Sequence, residues 1–153
     1  MKILSSKHLL LIIAAVAVTL AVQSTVATVA APAAPNPILF FLGQEHTTSG
    51  GKNIVRYYYD VANKDAYPAD LFEASPALPP CGTNKNASRT WVDIFDQKGN
   101  RLNGFCALAK PGDLNRIWFA LDEDQVPPSW VYIELNDRKT NTKYKSGLVE
   151  TTM

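Results

Sequence analysis

The chain has 153 residues, 46% of them hydrophobic and 19% charged, with 15 Lys and Arg against 14 Asp and Glu. Lys2 and Lys7 lie in an N-terminal segment expected to be removed, which leaves 13 basic residues and a chain close to neutral. Scattered charge without a basic surplus excludes the electrostatic footprint of a nucleic-acid binder or of a protein held on an anionic membrane surface.

Lys2, Lys7 and His8 precede residues 9–22, an apolar run free of charge, Gly and Pro. A positive end followed by a short apolar core describes a secretory signal peptide within residues 1–30, and small residues at Thr25 and Ala27 or at Thr28 and Ala30 offer cleavage sites. The expected location is therefore extracellular or periplasmic, with no membrane attachment once the signal is cleaved. The alternative is an uncleaved anchor, since a spanning helix needs about 20 largely apolar residues. Residues 31–37 are small, apolar and Pro-containing, which suits a flexible lead-in. Residues 38–150 then suffice for one domain that buries roughly two-thirds of its unfolded surface.

Residues 38–42 read as a first strand ended by Gly43, with a loop over residues 45–52. Over residues 53–63, Val55, Tyr57, Tyr59 and Val61 fall on one face, and Arg56, Tyr58 and Asp60 on the other, the period of a half-buried strand. Residues 64–88 hold Pro68, Pro76, Pro79, Pro80 and Gly82 and read as loop, with a short strand or turn near residues 70–73. A connection this long is usually functional or disordered. Pro76, Leu78, Pro79, Pro80, Asn84 and Lys85 are its candidate contact residues, because sandwich scaffolds carry function in loops.

Strands follow at residues 90–96 and 104–108 around the hairpin tip Gln97-Lys98-Gly99-Asn100. After a turn at residues 110–113, Ile117, Phe119 and Leu121 alternate with Trp118 and Ala120. Val131, Ile133 and Leu135 then alternate with Trp130, Tyr132 and Glu134. A polar turn over residues 136–141 leads into a last strand, residues 143–149. No window carries helical periodicity over three turns. The expected fold is all-β: a single antiparallel β-sandwich of about seven strands, immunoglobulin-like, with one disulfide.

Cys81 and Cys106 are the two cysteines, and an exported chain meets an oxidising compartment where they are expected to pair. The bridge would pin the long loop against the sheet. The stretch Val126-x-Pro128-x-Trp130-x-Tyr132 resembles the lead into the sixth strand of fibronectin type III modules, where an aliphatic residue, a Pro and a Tyr recur at those offsets. The resemblance implies a sandwich, with the Tyr packed at a corner between strands. Here the sequence departs from that pattern, because the alternation of Val131, Ile133 and Leu135 turns Tyr132 to the opposite face. An immunoglobulin disulfide across the sheets needs about 55 to 75 residues between its cysteines, more than Cys81 and Cys106 provide.

No motif commits the chain to a reaction, and no cofactor is expected. His46 lies among Thr, Ser and Gly and reads as a surface residue, without a Gly-x-Ser-x-Gly elbow to make it part of a triad. Asp122, Glu123 and Asp124 form the densest acidic cluster, with oxygen ligands of the type calcium takes, although such a strand end is more often a solvated turn. Asp93 and Asp96 are the other carboxylates near a strand end. Tyr58, Trp118 and Tyr132 are candidate surface aromatics for a protein or carbohydrate partner, with Tyr144 beside them. The expected function is an interaction module that binds a protein or other ligand. The alternatives are a secreted hydrolase or enzyme inhibitor, and a structural cell-envelope protein.

Overall fold

The computed structural model describes residues 34–81 and 87–152. The expected signal segment, the first residues of the expected lead-in, and Asn84 and Lys85 of the candidate loop lie outside the described residues. In chain order the strands are β1 (Leu39–Ser49), β2 (Lys52–Val61), β3 (Thr90–Asp96), β4 (Arg101–Phe105), β5 (Ile117–Asp122), β6 (Trp130–Asp137), β7 (Thr142–Lys145) and β8 (Val149–Glu150). They form two antiparallel sheets, one of order β1-β2-β5 and one of order β4-β3-β6-β7, with β8 also paired to β6.

The alternating sets become the two inner faces. Val55, Tyr57, Tyr59 and Val61 of β2 and Ile117 and Phe119 of β5 share one buried cluster with Val92, Ile94, Val131, Ile133 and Leu135 of the other sheet. Tyr57 stacks on Phe119 with ring centroids 4.9 Å apart, and Phe41 leans on Tyr59 at 5.3 Å. Each large side chain sealed here contributes about 1.5–3 kcal/mol relative to exposure, so the core rests mainly on these two strand pairs and their partners across the sandwich.

Several expectations change. Gly43 does not end the first strand: β1 continues to Ser49 through a bulge between Phe41 and Gly43, and the expected loop of residues 45–52 is the far half of a hairpin. Gly43 has φ +133°, open to glycine and rarely adopted by other residues, so it lets the strand absorb an extra residue and continue. The turn is Gly50-Gly51, both at positive φ as a tight primed hairpin turn requires.

The segment of residues 64–88 is also more than loop. It forms two 3-10 helices, Lys64–Ala66 and Ala69–Phe72, and buries Tyr67, Leu71 and Phe72 in the core. Tyr67 packs edge-on against Phe72 and Tyr144 and donates a hydrogen bond to the Pro35 carbonyl at 2.8 Å. Residues 34–37 are fixed by this: Ala34 packs on the core, Pro37 is buried, and the Asn36 carbonyl accepts from Asn63 Nδ2 at 2.9 Å.

Arg89 binds the segment to the sheet end. It donates through Nε and Nη2 to both carboxylate oxygens of Asp137, at 2.7 and 2.6 Å, and through Nη1 to Asp70 at 2.8 Å. The disulfide joins Cys81 to Cys106, just past β4, with Cα atoms 5.6 Å apart, so it clamps the loop to the five-stranded sheet and does not cross between sheets.

The expected last strand is two strands, which raises the count to eight. Ser146 breaks the ladder while satisfying it, because its Oγ accepts the Ile133 N–H at 2.9 Å and donates to the Gly147 carbonyl at 2.8 Å. β4 starts at Arg101, earlier than the pattern suggested. Asp96 closes the preceding tip by accepting from the Lys98 and Asn100 N–H groups and from Asn100 Nδ2, so the chain re-enters the ladder at once. The turn expected at residues 110–113 grows into a 3-10 helix, Pro111–Arg116, that buries Leu114.

Candidate interaction surface

The outward positions of the three-stranded sheet follow from its register. Arg56, Tyr58 and Asp60 of β2 stand opposite Glu45, Gly43 and Phe40 of β1, while Ala120 and Trp118 of β5 stand opposite Arg56 and Tyr58. Two of the candidate aromatics, Tyr58 and Trp118, are thus direct cross-strand neighbours. Tyr132 lies on the outer face of the other sheet, stacked on Phe95 at 5.2 Å, so it does not join them and does not pack at a corner. Tyr144 turns inward instead and packs against the core with Tyr67.

Four of the aromatics are covered by a cation. The Arg116 guanidinium lies 4.2 Å from the Tyr58 ring and that of Arg56 5.0 Å from the Trp118 ring. On the other sheet, Arg138 covers Trp91 at 3.7 Å and Lys145 covers Tyr132 at 3.8 Å. A domain of this size carries about one or two such pairs, so four mark a repeated device that shields rings from water while keeping charge outside.

The two outer faces differ in what stays unengaged. On the five-stranded sheet, Asp93 takes Arg101 Nε at 2.7 Å and Asn136 Nδ2 at 3.2 Å, and Glu134 takes Lys143 at 3.1 Å. Arg138 also donates to the Pro79 carbonyl at 3.2 Å. On the three-stranded sheet, Glu45 accepts from the Tyr58 hydroxyl at 2.7 Å and from Arg116 at 3.5 Å. Arg56 forms no side-chain hydrogen bond and no ion pair among the described residues, and its Nε is buried without a partner.

Along β1 and just before it, apolar side chains are exposed: Ile38 is 60% exposed, Leu42 46% and Phe40 39%. β1 is the outermost strand of its sheet, and edge strands are normally guarded by lysine or proline, neither of which occurs between Ile38 and Gly43. Leu42, Gly43, Gln44 and Glu45 border a hollow of about 300 Å³ with Tyr58 and Arg116. The opposite edge is closed, since Asn103 Nδ2 of β4 donates to the Trp118 carbonyl at 2.6 Å and Phe105 sets its ring edge-on to Trp118.

The remaining candidates are dispersed. Pro76, Pro79 and Pro80 are exposed and Leu78 is half-buried, in the segment held by Cys81 and by Arg138. The acidic run diverges: Asp122 faces Lys52 at 3.9 Å, Glu123 pairs with His46 of β1 at 3.0 Å, and Asp124 is exposed. Among the described residues no group of three His, Cys, Asp or Glu side chains converges as metal ligands would, and no helix is long and apolar enough to cross a membrane.

Sequence reasoning placed Tyr58 and Trp118 outward but missed Phe40 and Leu42, because residues 38–42 are apolar throughout and carry no alternation that says which are covered. The chain matches no protein-family model, no curated protein and no solved structure.

Proposed function

We propose that this chain is an exported interaction module of the immunoglobulin or fibronectin type III-like class, binding a protein partner through the outer face of its three-stranded sheet at β1. The strand order supports the class. The first, second and fifth strands share one sheet and the third, sixth and seventh the other, as in immunoglobulin domains, with the fourth moved to the edge of the second sheet. Export is supported by the N-terminal apolar run and by the disulfide, which belongs to an oxidising compartment.

The observation that carries the binding reading is the exposed strip Ile38, Phe40 and Leu42 beside Tyr58, Trp118, Arg56 and Arg116. Tyr, Trp and Arg dominate the residues that hold protein interfaces together, and an apolar strip on an edge strand gives them area to seal.

A photocrosslinking residue in place of Phe40, Leu78 or Lys143, in the cells that make the protein, tests this. A discrete adduct from Phe40 and none from Lys143 is expected, and Phe40→Ser protein should fail to compete for the partner. An adduct from Leu78 alone would move the site to the proline loop, a second reading favoured by that loop's double tether through Cys81 and Arg138. No adduct from either position, with the protein folded, would sink the binding reading.

A further inference from the structure

Resting on the reading of this face as an interface, we infer that the partner presents an acidic side chain to Arg56 together with an apolar side chain to Phe40, carried on an extended protein segment that lies along the sheet. Three observations lead there.

Arg56 is the cation of this face without an anion. Glu45 stands directly opposite it across β1 and β2, yet the Glu45 carboxylate is turned to the Tyr58 hydroxyl at 2.7 Å and to Arg116. Asp60 is held by Lys64 at 3.0 Å, and Asp122 faces Lys52. Each carboxylate on the face therefore has a cation already, and Arg56 has none among the described residues.

The guanidinium is also held in place. It lies over the Trp118 ring at 5.0 Å, with Ala120 opposite, a side chain too small to cover it. A guanidinium stacked on a ring keeps its planar fork of donors ordered, and that fork matches a carboxylate with two parallel N–H···O bonds. Held there by stacking, it loses little freedom on binding, so the contact favours association more than a free surface lysine would.

The apolar strip sets the second anchor. Phe40 pairs with Asp60, four residues along β2 from Arg56, a separation of roughly 13 Å in an extended chain. Side chains four positions apart on an extended segment fall on the same side and span that distance. The segment that fits has a Glu or Asp and an aliphatic or aromatic residue at i and i+4.

The probes are two blocked pentapeptides, acetyl-Glu-Ser-Thr-Ser-Leu-amide and its Gln analogue, titrated against the exported chain labelled with nitrogen-15. The signals followed are Arg56 Nε–H, the Trp118 indole N–H and the backbone of Phe40 and Leu42. The Glu peptide should shift all of these, the Gln peptide should bind about tenfold or more weakly, and Arg56→Gln should erase the difference, since hydrogen bonds to charged groups are worth at least that factor.

If both peptides shift Phe40 and Leu42 alike, the acidic recognition is overturned while the face remains an interface. If neither shifts any of them up to about 10 mM, where even the weakest specific contact registers, the inference is overturned, and the Phe40 crosslink decides the wider reading separately. Inorganic sulfate moving Arg56 Nε–H as strongly as the Glu peptide would overturn it too, by making the site a general oxyanion contact with no preference for a protein segment.

Discussion

Replacing Asp137 by Asn tests the account of how the long segment is held to the sheet. The Asp137 side chain is 2% exposed, and burial alone would raise its pKa. Hydrogen bonds from Arg89, Thr140 and the Lys139 N–H, with the charge of Arg89 itself, outweigh burial and bring it from 3.8 down to about 2. A carboxyl whose pKa is lower in the folded chain than in the unfolded one stabilises the fold above the unfolded value. That contribution is lost as pH falls from about 4 through about 2. Its size is about 2 kcal/mol at neutral pH, from the shift of nearly two units. Urea unfolding of wild type and Asp137→Asn, followed by tryptophan fluorescence at several pH values between 7 and 2, should show a gap that shrinks by about that amount as Asp137 protonates. Carboxylates present in both proteins cancel in the comparison. A gap that stays constant from pH 7 to pH 2 would falsify the assignment of acid lability to this pair. Arg89→Met should cost more at neutral pH, about 3–5 kcal/mol, because it leaves a buried carboxylate without its cation.

Three further outcomes are expected. Changing Cys81 and Cys106 together to Ser should lower stability by about 3.5 kcal/mol on the chain-entropy account for a 25-residue separation, read from urea unfolding extrapolated to water, with a steeper slope because the unfolded chain is less compact. Phe72→Ala should cost about 3–5 kcal/mol in the same assay, whereas Pro76→Ala in the exposed half of that segment should stay within about half a kcal/mol. Burial raises the Tyr67 phenol and pushes that of Tyr59 up to about 12, so ultraviolet titration should show Tyr59 among those ionising far later than an exposed tyrosine. Because the unfolded chain ionises this group near pH 10, stability should fall as pH rises from about 10 to about 12.

The strands that the sequence made legible are those with one face in water. Val55, Tyr57, Tyr59 and Val61, and likewise Val131, Ile133 and Leu135, alternate with polar or cation-covered partners, so period alone gives both the element and its inner face. Where that contrast fails, so does the reading. Residues 38–42 are apolar on both faces, and only the sheet order makes Phe40 and Leu42 exposed. Tyr67, Leu71 and Phe72 sit at irregular spacing among prolines, and they are buried because a 3-10 turn lays them over the end of the sandwich. Gly43 reads as a stop in a sequence, yet the same conformational freedom serves a bulge, and only the register across β2 distinguishes the two. For the candidate surface, parity put Tyr58 and Trp118 together, since they lie on facing strands at matched positions. The cations that cover them come from residues whose approach the sequence does not encode by spacing.

Tyr67 carries a consequence for how the chain acquires its structure. Its ring and hydroxyl gather Pro35 from the beginning of the described chain, Phe72 from its own segment and Tyr144 from the penultimate strand. No partial chain emerging in order can complete this junction, because one of its members arrives almost last. Contacts this distant in sequence slow the search for the native state, placing folding in the millisecond-to-second range typical of all-β domains. A chain that matures so late stays unlocked until nearly all of it is present, and the locking of both ends onto one aromatic residue then makes the final step cooperative.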